Sequence, residues 1–250
     1  MTEPNDKSRR GFLGAAAVGA AGLGAAAIAP GIHLIQVSQA NAPSQGASSK
    51  VRWGMLIDTT KCTSGCNECV TACNTENGIN ETLKDARQAS QWIRKIDLKN
   101  PKTGQQHSLP MMCQHCEHPP CVDVCPTGAS MKRPDGIVLV DSHICIGCRY
   151  CMLACPYKAR SFVHLTLTEQ NPEVPRGLGC VESCTFCVQR VDRGETPACV
   201  EACAKADHNA MLFGDLNDPN SEISQRVAQV KTTQVRADLK LNLGVRYQGI

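Results

Sequence analysis

Cys145-Ile-Gly-Cys148-Arg-Tyr-Cys151-Met-Leu-Ala-Cys155-Pro156 is the stretch of this 250-residue chain that decides its fold. Its first three cysteines are separated by two residues each, so one tight loop can direct three thiolates at a single site. The fourth follows one helical turn later and is out of reach of that site, so it is expected to serve a neighbouring one. The proline ends the segment, because it cannot continue a helix. The spacing predicts paired metal centres that exchange ligands.

The chain contains 17 cysteines, and three further groups follow the same logic. The other groups are Cys62, Cys66, Cys69 and Cys73 (first); Cys113, Cys116, Cys121 and Cys125 (second); and Cys184, Cys187, Cys199 and Cys203 (fourth). Three residues separate the last two cysteines of every group, including the quoted third one. Runs of this kind ligate [4Fe–4S] clusters, so the sequence predicts four of them. Cys180 is left outside the groups.

The first 42 residues are typical of a signal peptide. Arg9 and Arg10 precede a weakly apolar run at 15–29, and Ala40-Asn41-Ala42 offers a small-residue cleavage site. Paired arginines indicate the Tat route, which exports proteins already folded around a cofactor. We therefore expect cleavage, a linker at 43–50, and a protein at the periplasmic face of the inner membrane. The alternative is a membrane-anchoring helix, for which the run is barely long enough.

Other uses of cysteine fit this pattern less well. Disulfides are common in exported proteins, but three closely spaced thiols cannot easily find separate partners, and 17 is an odd number. All-cysteine zinc sites usually come as two C-x2-C pairs with a long spacer, which only the fourth group resembles. Haem attachment requires a histidine directly after C-x2-C, and no group has one. A zinc- or disulfide-stabilised structural module is thus the alternative of a different class.

Composition narrows the possible functions. The net charge is only +3, which gives no reason to expect nucleic acid binding. The chain has no phosphate-binding loop, no dinucleotide fingerprint outside the leader and no nucleophile–base motif, so we expect no catalytic site of its own. Aromatic residues make up only 4%. An ordinary apolar core would be thin at this length, and metal centres should help to hold the fold.

Hydrophobic and turn patterns predict an α+β fold. Short strands are expected at 52–57, 91–98, 136–140 and 161–166, and short helices at 68–77, 150–154 and 221–229. The repeated cysteine groups indicate two ferredoxin-like, βαβ-type units over 51–213, one inserted in the other and built around the four clusters. Residues 214–250 are expected to form a C-terminal helix and an arm that lies over the clusters.

Several stretches together resemble a known family, and they are Trp53–Asp58, Cys113–Cys121, Asp135–Val138, Cys145–Cys151 and Cys184–Cys187. The family is that of the four-cluster [4Fe–4S] ferredoxin-type electron-transfer subunits (DmsB/PsrB/NrfC-like) of membrane-linked respiratory oxidoreductases. The similarity covers 51–213. Within the family, the leader and the variant spacing of the first group are most similar to DsrO-type subunits, the periplasmic iron–sulfur subunits of DsrMKJOP sulfur-metabolism complexes.

The resemblance implies an electron relay with several protein partners. Single electrons would pass through four [4Fe–4S] clusters, and an NrfD-type integral membrane protein would exchange them with quinone. In a DsrMKJOP-type complex the other partners include a periplasmic multihaem cytochrome c. In the alternative, a molybdopterin oxidoreductase of polysulfide, tetrathionate, dimethyl sulfoxide or formate type, the partner is a molybdopterin catalytic subunit. Either way the protein would associate with the membrane through its partners.

The family's ligand scheme can be transferred to the matching positions, with the fourth cysteine of each group crossing to a paired group. The resemblance then implies Cys62, Cys66, Cys69 and Cys203 for site 1; Cys113, Cys116, Cys121 and Cys155 for site 2; Cys145, Cys148, Cys151 and Cys125 for site 3; and Cys184, Cys187, Cys199 and Cys73 for site 4.

The chain departs from the family pattern at a few positions. The first group has three residues, where two are usual, between Cys62 and Cys66. Asn74 and Ala204 stand where proline often follows the fourth cysteine. Cys180 is either a substitute ligand or a spare buried thiol. These departures loosen the assignment of site 1 more than that of the others.

Side chains close to the groups carry smaller expectations. His115 and His118 lack the spacing of Rieske ligands, so we expect them to pack near a cluster or to line a partner contact. Arg160 follows the third group, where it either tunes a cluster potential by its charge or lies on a solvated surface. Tyr150 and Phe186 are expected to keep water away from the sulfur atoms.

Overall fold

The computed structural model describes residues 46–79, 88–99, 101–168 and 170–250. The expected signal peptide at 1–42 lies outside these residues. Within them, no helix has the length and apolar character needed to cross a membrane.

Ten short strands and six short helices make up the described part of the chain. The strands are β1 (Trp53–Asp58), β2 (Ile93–Lys99), β3 (Gln106–Met112), β4 (Ser130–Lys132), β5 (Val138–Val140), β6 (Ser161–Phe162), β7 (Val181–Glu182), β8 (Met211–Asp215), β9 (Thr232–Thr233) and β10 (Val245–Gln248). The helices are α1 (Glu68–Glu76), α2 (Pro120–Asp123), α3 (Tyr150–Ala154), α4 (Val188–Val191), α5 (Ala198–Lys205) and α6 (Glu222–Gln229), with a 3-10 turn at Ala237–Leu239. The mixture of small sheets and helices confirms the predicted α+β class.

The largest sheet has four strands in the order β8-β1-β10-β9. Strand β1 pairs antiparallel with β8 and parallel with β10. Strand β1 is a central strand of this sheet, and its successive side chains are buried on both faces, with Met55 and Ile57 fully enclosed. Val245 and Tyr247 of β10 are equally buried. This sheet forms the centre of the apolar core.

Three two-stranded sheets surround the metal-binding loops, and they are the pairs β2-β3, β4-β5 and β6-β7. In the β2-β3 hairpin, Ile93 lies opposite Met112 and Lys99 opposite Gln106. Its core-facing end carries the buried Trp92 and Leu109. The hairpin thus supplies apolar residues beside the cysteine groups, where the chain is otherwise poor in aromatic side chains.

The helices that carry cysteines pack in two pairs. Helix α1 contacts α5, and α2 contacts α3. Since α1 and α5 carry the ends of the first and fourth groups, their contact brings those groups together. The second contact does the same for the second and third groups. Helix packing therefore decides which groups become neighbours.

The predicted helices and most of the predicted strands are present within two or three residues of their expected bounds. The predicted strand at 161–166 is confirmed only at Ser161–Phe162, because its partner β7 is equally short and follows an irregular segment. Helix α6 begins as expected at a capping serine, since the Ser221 hydroxyl accepts a hydrogen bond from the Ser224 N–H at 3.2 Å.

The tail differs from the expected arm. Residues 214–250 contribute the end of β8 and both β9 and β10, and β10 lies inside the central sheet beside β1. The expected boundary after residue 213 falls within β8. The Tyr247 hydroxyl donates to the Pro110 carbonyl oxygen at 3.0 Å, so the tail is tied to the hairpin that precedes the second group. It is a structural part of the domain.

Candidate metal centres

Site 1 gathers its four predicted cysteines around one small cavity. Cys62, Cys66 and Cys69 approach along the loop into α1, and Cys203 comes from the end of α5. Burial raises the pKa of the Cys69 thiol to about 11, against the opposing charge of Lys95. Thiols with raised pKa values must release protons before they can bind metal. The site therefore suits metal ions, which can displace these protons from the thiols.

Site 2 has the same construction around a second cavity, lined by Cys113, Cys116, Cys121 and Cys155. All four cysteines are buried. Burial raises the pKa of Cys113 and of Cys116 to about 12 in each case. Several prolines, among them Pro156, line the cavity as well. These groups exclude water from the sulfur atoms.

Site 4 is the most deeply enclosed. Cys73, Cys184, Cys187 and Cys199 are all buried and interact electrostatically with one another. Burial holds the pKa of Cys73, Cys184 and Cys199 well above the usual range of thiols. The Asn77 amide, at the end of α1, donates to the Cys73 carbonyl oxygen at 2.8 Å and to its Sγ at 3.5 Å. A neutral hydrogen bond therefore supports one sulfur of this site.

Site 3 is the most exposed of the four. Cys145 and Cys151 interact electrostatically, whereas the Cys148 side chain is exposed. The Cys125 Sγ accepts a hydrogen bond from the Ser130 N–H at 3.3 Å. Desolvation opposes ionisation of Cys125, but the hydrogen bonds that it accepts outweigh this and lower its pKa. The structure thus brings Cys145 and Cys151 together and leaves Cys125 and Cys148 toward the surface.

The backbone repeats one feature in all four loops. The residue before the second cysteine of each group has a positive φ, and these residues are Gly65 (84°), His115 (43°), Gly147 (68°) and Phe186 (54°). A left-handed residue of this kind turns successive N–H groups toward one point, as in the nests that hold anions and iron–sulfur clusters. At Gly147 a Cβ would collide with the Gly179 carbonyl oxygen, so glycine is required there. The cysteine loops therefore fit an anionic iron–sulfur cluster.

The four sites form a continuous series. Cys199 of site 4 interacts electrostatically with Cys69 of site 1. Cys184 of site 4 does so with Cys113 of site 2. Cys121 of site 2 in turn interacts with Cys151 of site 3. The order through the molecule is thus 1-4-2-3, with the two buried sites in the middle and the two partly exposed sites at the ends.

The histidines of the second group differ from one another. His115 is fully buried, its Nδ1 accepts the Val138 N–H at 3.0 Å, and burial lowers its pKa to about 3. Its ring stacks on Phe186 with the centroids 3.6 Å apart, so it is a packing residue between the loops of the second and fourth groups, and its proximity to a cluster stays a prediction. His118 is exposed. Phe186 shields the interior as predicted, but Tyr150 is 58% exposed, so its predicted shielding role is wrong.

Cys180 is buried beside the third group, away from the neighbouring fourth group. Its thiol donates to the Ser142 carbonyl oxygen at 3.3 Å and interacts electrostatically with Cys145. A thiol that donates hydrogen bonds keeps its proton, which suits the interpretation as a spare buried thiol.

Two residues near the sites carry no signal in the sequence. Ser130 donates its N–H to Cys125 of site 3 and accepts a hydrogen bond from Arg160 with its hydroxyl, and Asn77 supports site 4. Neither lies in a cysteine run, so spacing alone cannot identify them. Arg160 was expected near the third group but is buried between two sites, with 5% exposure.

Comparison with known proteins agrees with this architecture. Residues 105–216 match the model of the 4Fe-4S dicluster domain family. The chain is 43% identical to the Hdr-like menaquinol oxidoreductase iron-sulfur subunit 1 of Archaeoglobus fulgidus, over 96% of this chain and 97% of that protein. It is 36% identical to a tetrathionate reductase subunit of Salmonella typhimurium, over 90% and 80% of the two chains. It is 38% identical to the protein NrfC of Escherichia coli, over 78% of each.

The chain therefore belongs to the family of DmsB/NrfC-like iron–sulfur subunits. It carries [4Fe–4S] clusters, as the cysteine spacing predicted and the family match confirms. The resemblance to DmsB/NrfC-like subunits is likewise confirmed.

Proposed function

We propose that this protein relays single electrons through four [4Fe–4S] clusters within a membrane-linked oxidoreductase complex. The observation that carries the proposal is the series of four adjoining cysteine sites in the order 1-4-2-3. The two middle sites have only buried cysteines, whereas both end sites have cysteines that reach the surface. An electron relay needs its middle centres shielded from solvent and its end centres close to the surface, where partner proteins can bind. The burial of these cysteines provides both.

The proposed ligands are the sets expected from the sequence. In sites 1, 2 and 4 the structure supports the proposal by bringing the four cysteines of each set together. At site 3, Cys125 and Cys148 would complete the set that Cys145 and Cys151 begin. We also propose that α1 and α5 belong to an outer ferredoxin-like unit with β1 and β8, into which the unit of α2, α3 and the β4-β5 hairpin is inserted.

The chain's own residues hold the clusters, orient them and keep water away. Each bound cluster supplies the capacity to accept and return one electron at a potential set by charge, hydrogen bonds and exposure. The stacked rings of His115 and Phe186 lie between the loops of sites 2 and 4. Burial lowers the pKa of His115, which favours the neutral form of its ring. No substrate bond is made or broken by this chain.

The two ends of the relay differ in chemistry, and this guides the choice of partners. Around site 3 several large apolar side chains are exposed, and they are Ile144, Ile146, Tyr150, Leu153 and Leu178. Around site 1 the lining includes the charged Lys61, Glu68 and Lys95. An exposed apolar patch is typical of a protein interface. We therefore propose that the NrfD-type, quinone-interacting membrane subunit covers the apolar end, and that a second redox subunit meets site 1.

The complex that we propose is of the DsrMKJOP type, at the periplasmic face of the inner membrane after export by the Tat pathway. The paired arginines support the route, and a relative named as a subunit of a menaquinol oxidoreductase supports a quinol-linked complex. A molybdopterin oxidoreductase is the second candidate, favoured by the similarity to the tetrathionate reductase subunit.

Two measurements test the proposal. Purified protein should contain about 16 iron and 16 sulfide per chain, since each cluster holds four of each, and its broad visible absorption should bleach with dithionite. Colourless, iron-free protein would refute the relay. Solubilisation of native membranes in mild detergent should then yield a complex with haem and a quinone-binding membrane protein. Co-purification with a molybdopterin enzyme would favour the second candidate.

A further inference from the structure

Arg160 is a buried guanidinium placed between two metal sites. Its side chain is 5% exposed, and its Nη2 donates to the Cys121 Sγ at 3.1 Å and to the Ser130 hydroxyl at 2.8 Å. Cys121 belongs to site 2. Ser130 in turn donates its N–H to the Cys125 Sγ of site 3 at 3.3 Å, and the charge of Cys151 of site 3 acts on the same guanidinium. One cation therefore contacts a sulfur ligand of site 2 directly and lies close to the ligands of site 3.

The charge of Arg160 has no carboxylate to balance it among the residues that the structure describes. Its Nη1 is buried without a protein partner, and the charges that act on it come from Cys121, Cys113 and Cys151. A buried charge without a counter-charge is strongly unfavourable. The guanidinium thus suits a place between anionic centres.

The neighbouring site 4 has a different environment. Its Cys73 Sγ receives a hydrogen bond from the neutral amide of Asn77. The Glu76 carboxylate acts on Cys187 more strongly than the opposing charge of Arg190 does. Sites 2 and 3 therefore have a buried cation between them, in contact with a sulfur of site 2, whereas site 4 has a neutral donor and a nearby carboxylate.

We propose that Arg160 is the residue that sets the reduction potentials of the clusters at sites 2 and 3 jointly, raising both above the value they would have without its charge. This inference rests on the ligand sets proposed above. A reduced cluster carries one more negative charge than an oxidised one, and a cation in a water-poor interior stabilises that charge. When one electron passes between the two sites, the cluster that gives it up becomes oxidised and the cluster that receives it becomes reduced. Arg160 keeps its protons and charge throughout.

The position of Arg160 between sites 2 and 3 has a consequence for electron transfer between them. Because the same charge acts on both clusters, their potentials rise together and the difference between them changes little. An electron that arrives from site 4 would be drawn to site 2 and could then pass to site 3 without a large step. Arg160 thus acts on electron transfer through the potentials of the two clusters and does not itself take part in the redox reaction.

The test is a redox titration of the purified holoprotein, followed by electron paramagnetic resonance, on Arg160→Gln, Arg160→Lys and the control Arg193→Gln. Arg193 is an ion-paired guanidinium at the surface, with 40% side-chain exposure, so its variant loses the same charge without touching a sulfur. For Arg160→Gln we expect the equilibrium constant for reduction to fall at least tenfold at two clusters, which is about 59 mV for each tenfold in a one-electron couple. The control and the other two clusters should change less than threefold.

The Lys variant separates charge from packing. Lysine keeps a cation but not the forked geometry of arginine. The equilibrium constants for reduction of both clusters should therefore stay within tenfold of those of the unchanged protein. If Arg160→Gln fails to retain its clusters, a fall of tenfold or more in the equilibrium constants for reduction at both clusters of Arg160→Lys would overturn the proposal, and smaller changes there would support it. Four intact clusters with unchanged potentials in Arg160→Gln, or a shift at one cluster only, would also overturn it. A deficit of clusters in the unchanged protein would instead count against the proposed relay.

Discussion

The ion pair of Arg176 and Glu182 gives the sharpest stability prediction. The guanidinium donates to both carboxylate oxygens, at 2.9 and 2.7 Å, and to the Gly78 carbonyl oxygen at 2.9 Å. The two side chains are only 2% and 10% exposed. The pair therefore joins the irregular segment at 171–179 to β7 and to the end of α1. The change Arg176→Gln would leave the Glu182 carboxylate buried without its counter-charge.

The expected magnitude follows from this burial. Removing one partner of a buried pair costs about 3–5 kcal/mol, because the remaining charge stays desolvated. With a urea dependence of about 2–3 kcal/mol per molar, the unfolding midpoint should fall by about 1–2.5 M. The assay is urea unfolding of the holoprotein, followed by far-ultraviolet circular dichroism and by visible absorption.

The control is Arg193→Gln, which breaks exposed ion pairs with Glu173 and Glu195. Exposed pairs contribute about 0–1 kcal/mol, so this variant should shift the midpoint by less than about 0.5 M. The double variant Arg176→Met/Glu182→Leu removes both charges and should recover much of the lost stability. A midpoint for Arg176→Gln equal to that of the control would refute the reasoning.

Three further predictions concern the sites and the tail. Cys148→Ser should lose one cluster by iron and sulfide counts, whereas Cys180→Ser should keep all four, and equal losses would contradict the ligand assignment. Gly147→Ala should displace its loop because a side chain would strike the Gly179 carbonyl. The electron paramagnetic resonance signal of one cluster should then disappear, and persistence of all four signals would show that the loop tolerates a side chain. Tyr247→Phe should lower the free energy of unfolding by about 1–3 kcal/mol, because the buried Pro110 carbonyl loses this donor and the Gln114 amide loses one of its two acceptors. A loss below about 0.5 kcal/mol would show that water replaces the hydroxyl.

The sequence was a good guide to the elements next to the cysteines. Helices α1 and α3 lie where the ligand spacing placed them, because a cysteine one turn beyond a loop requires a helical turn. Strand β10 was not predicted, although Val245 and Tyr247 alternate with half-buried residues between Gly244 and Gly249. Its partner β1 lies nearly 200 residues away in the sequence, and a short strand gains its stability from such distant pairing.

The sites show a similar division. Spacing identifies three cysteines for each loop, but the fourth depends on how α1 packs on α5 and α2 on α3, which is a tertiary property. Arg160 could not be placed between sites 2 and 3 from sequence, because arginine is rarely buried unless paired. Its counter-charges are sulfur atoms from two separate segments. The prediction for Tyr150 is wrong because an aromatic residue in a cysteine run need not face the interior, and the Tyr150 side chain is largely exposed.

The parallel pairing of β1 with β10 imposes a timetable on the maturation of the protein. Trp53–Asp58 leaves the ribosome early, but it cannot receive its neighbour until Val245–Gln248 has been synthesised. The Tyr247 side chain, which reaches the hairpin before the second group, arrives equally late. The interior can therefore be sealed only after translation of these codons. A stop codon placed just before Val245 should leave all 17 cysteines in place and remove the strand that closes the sheet beside β1.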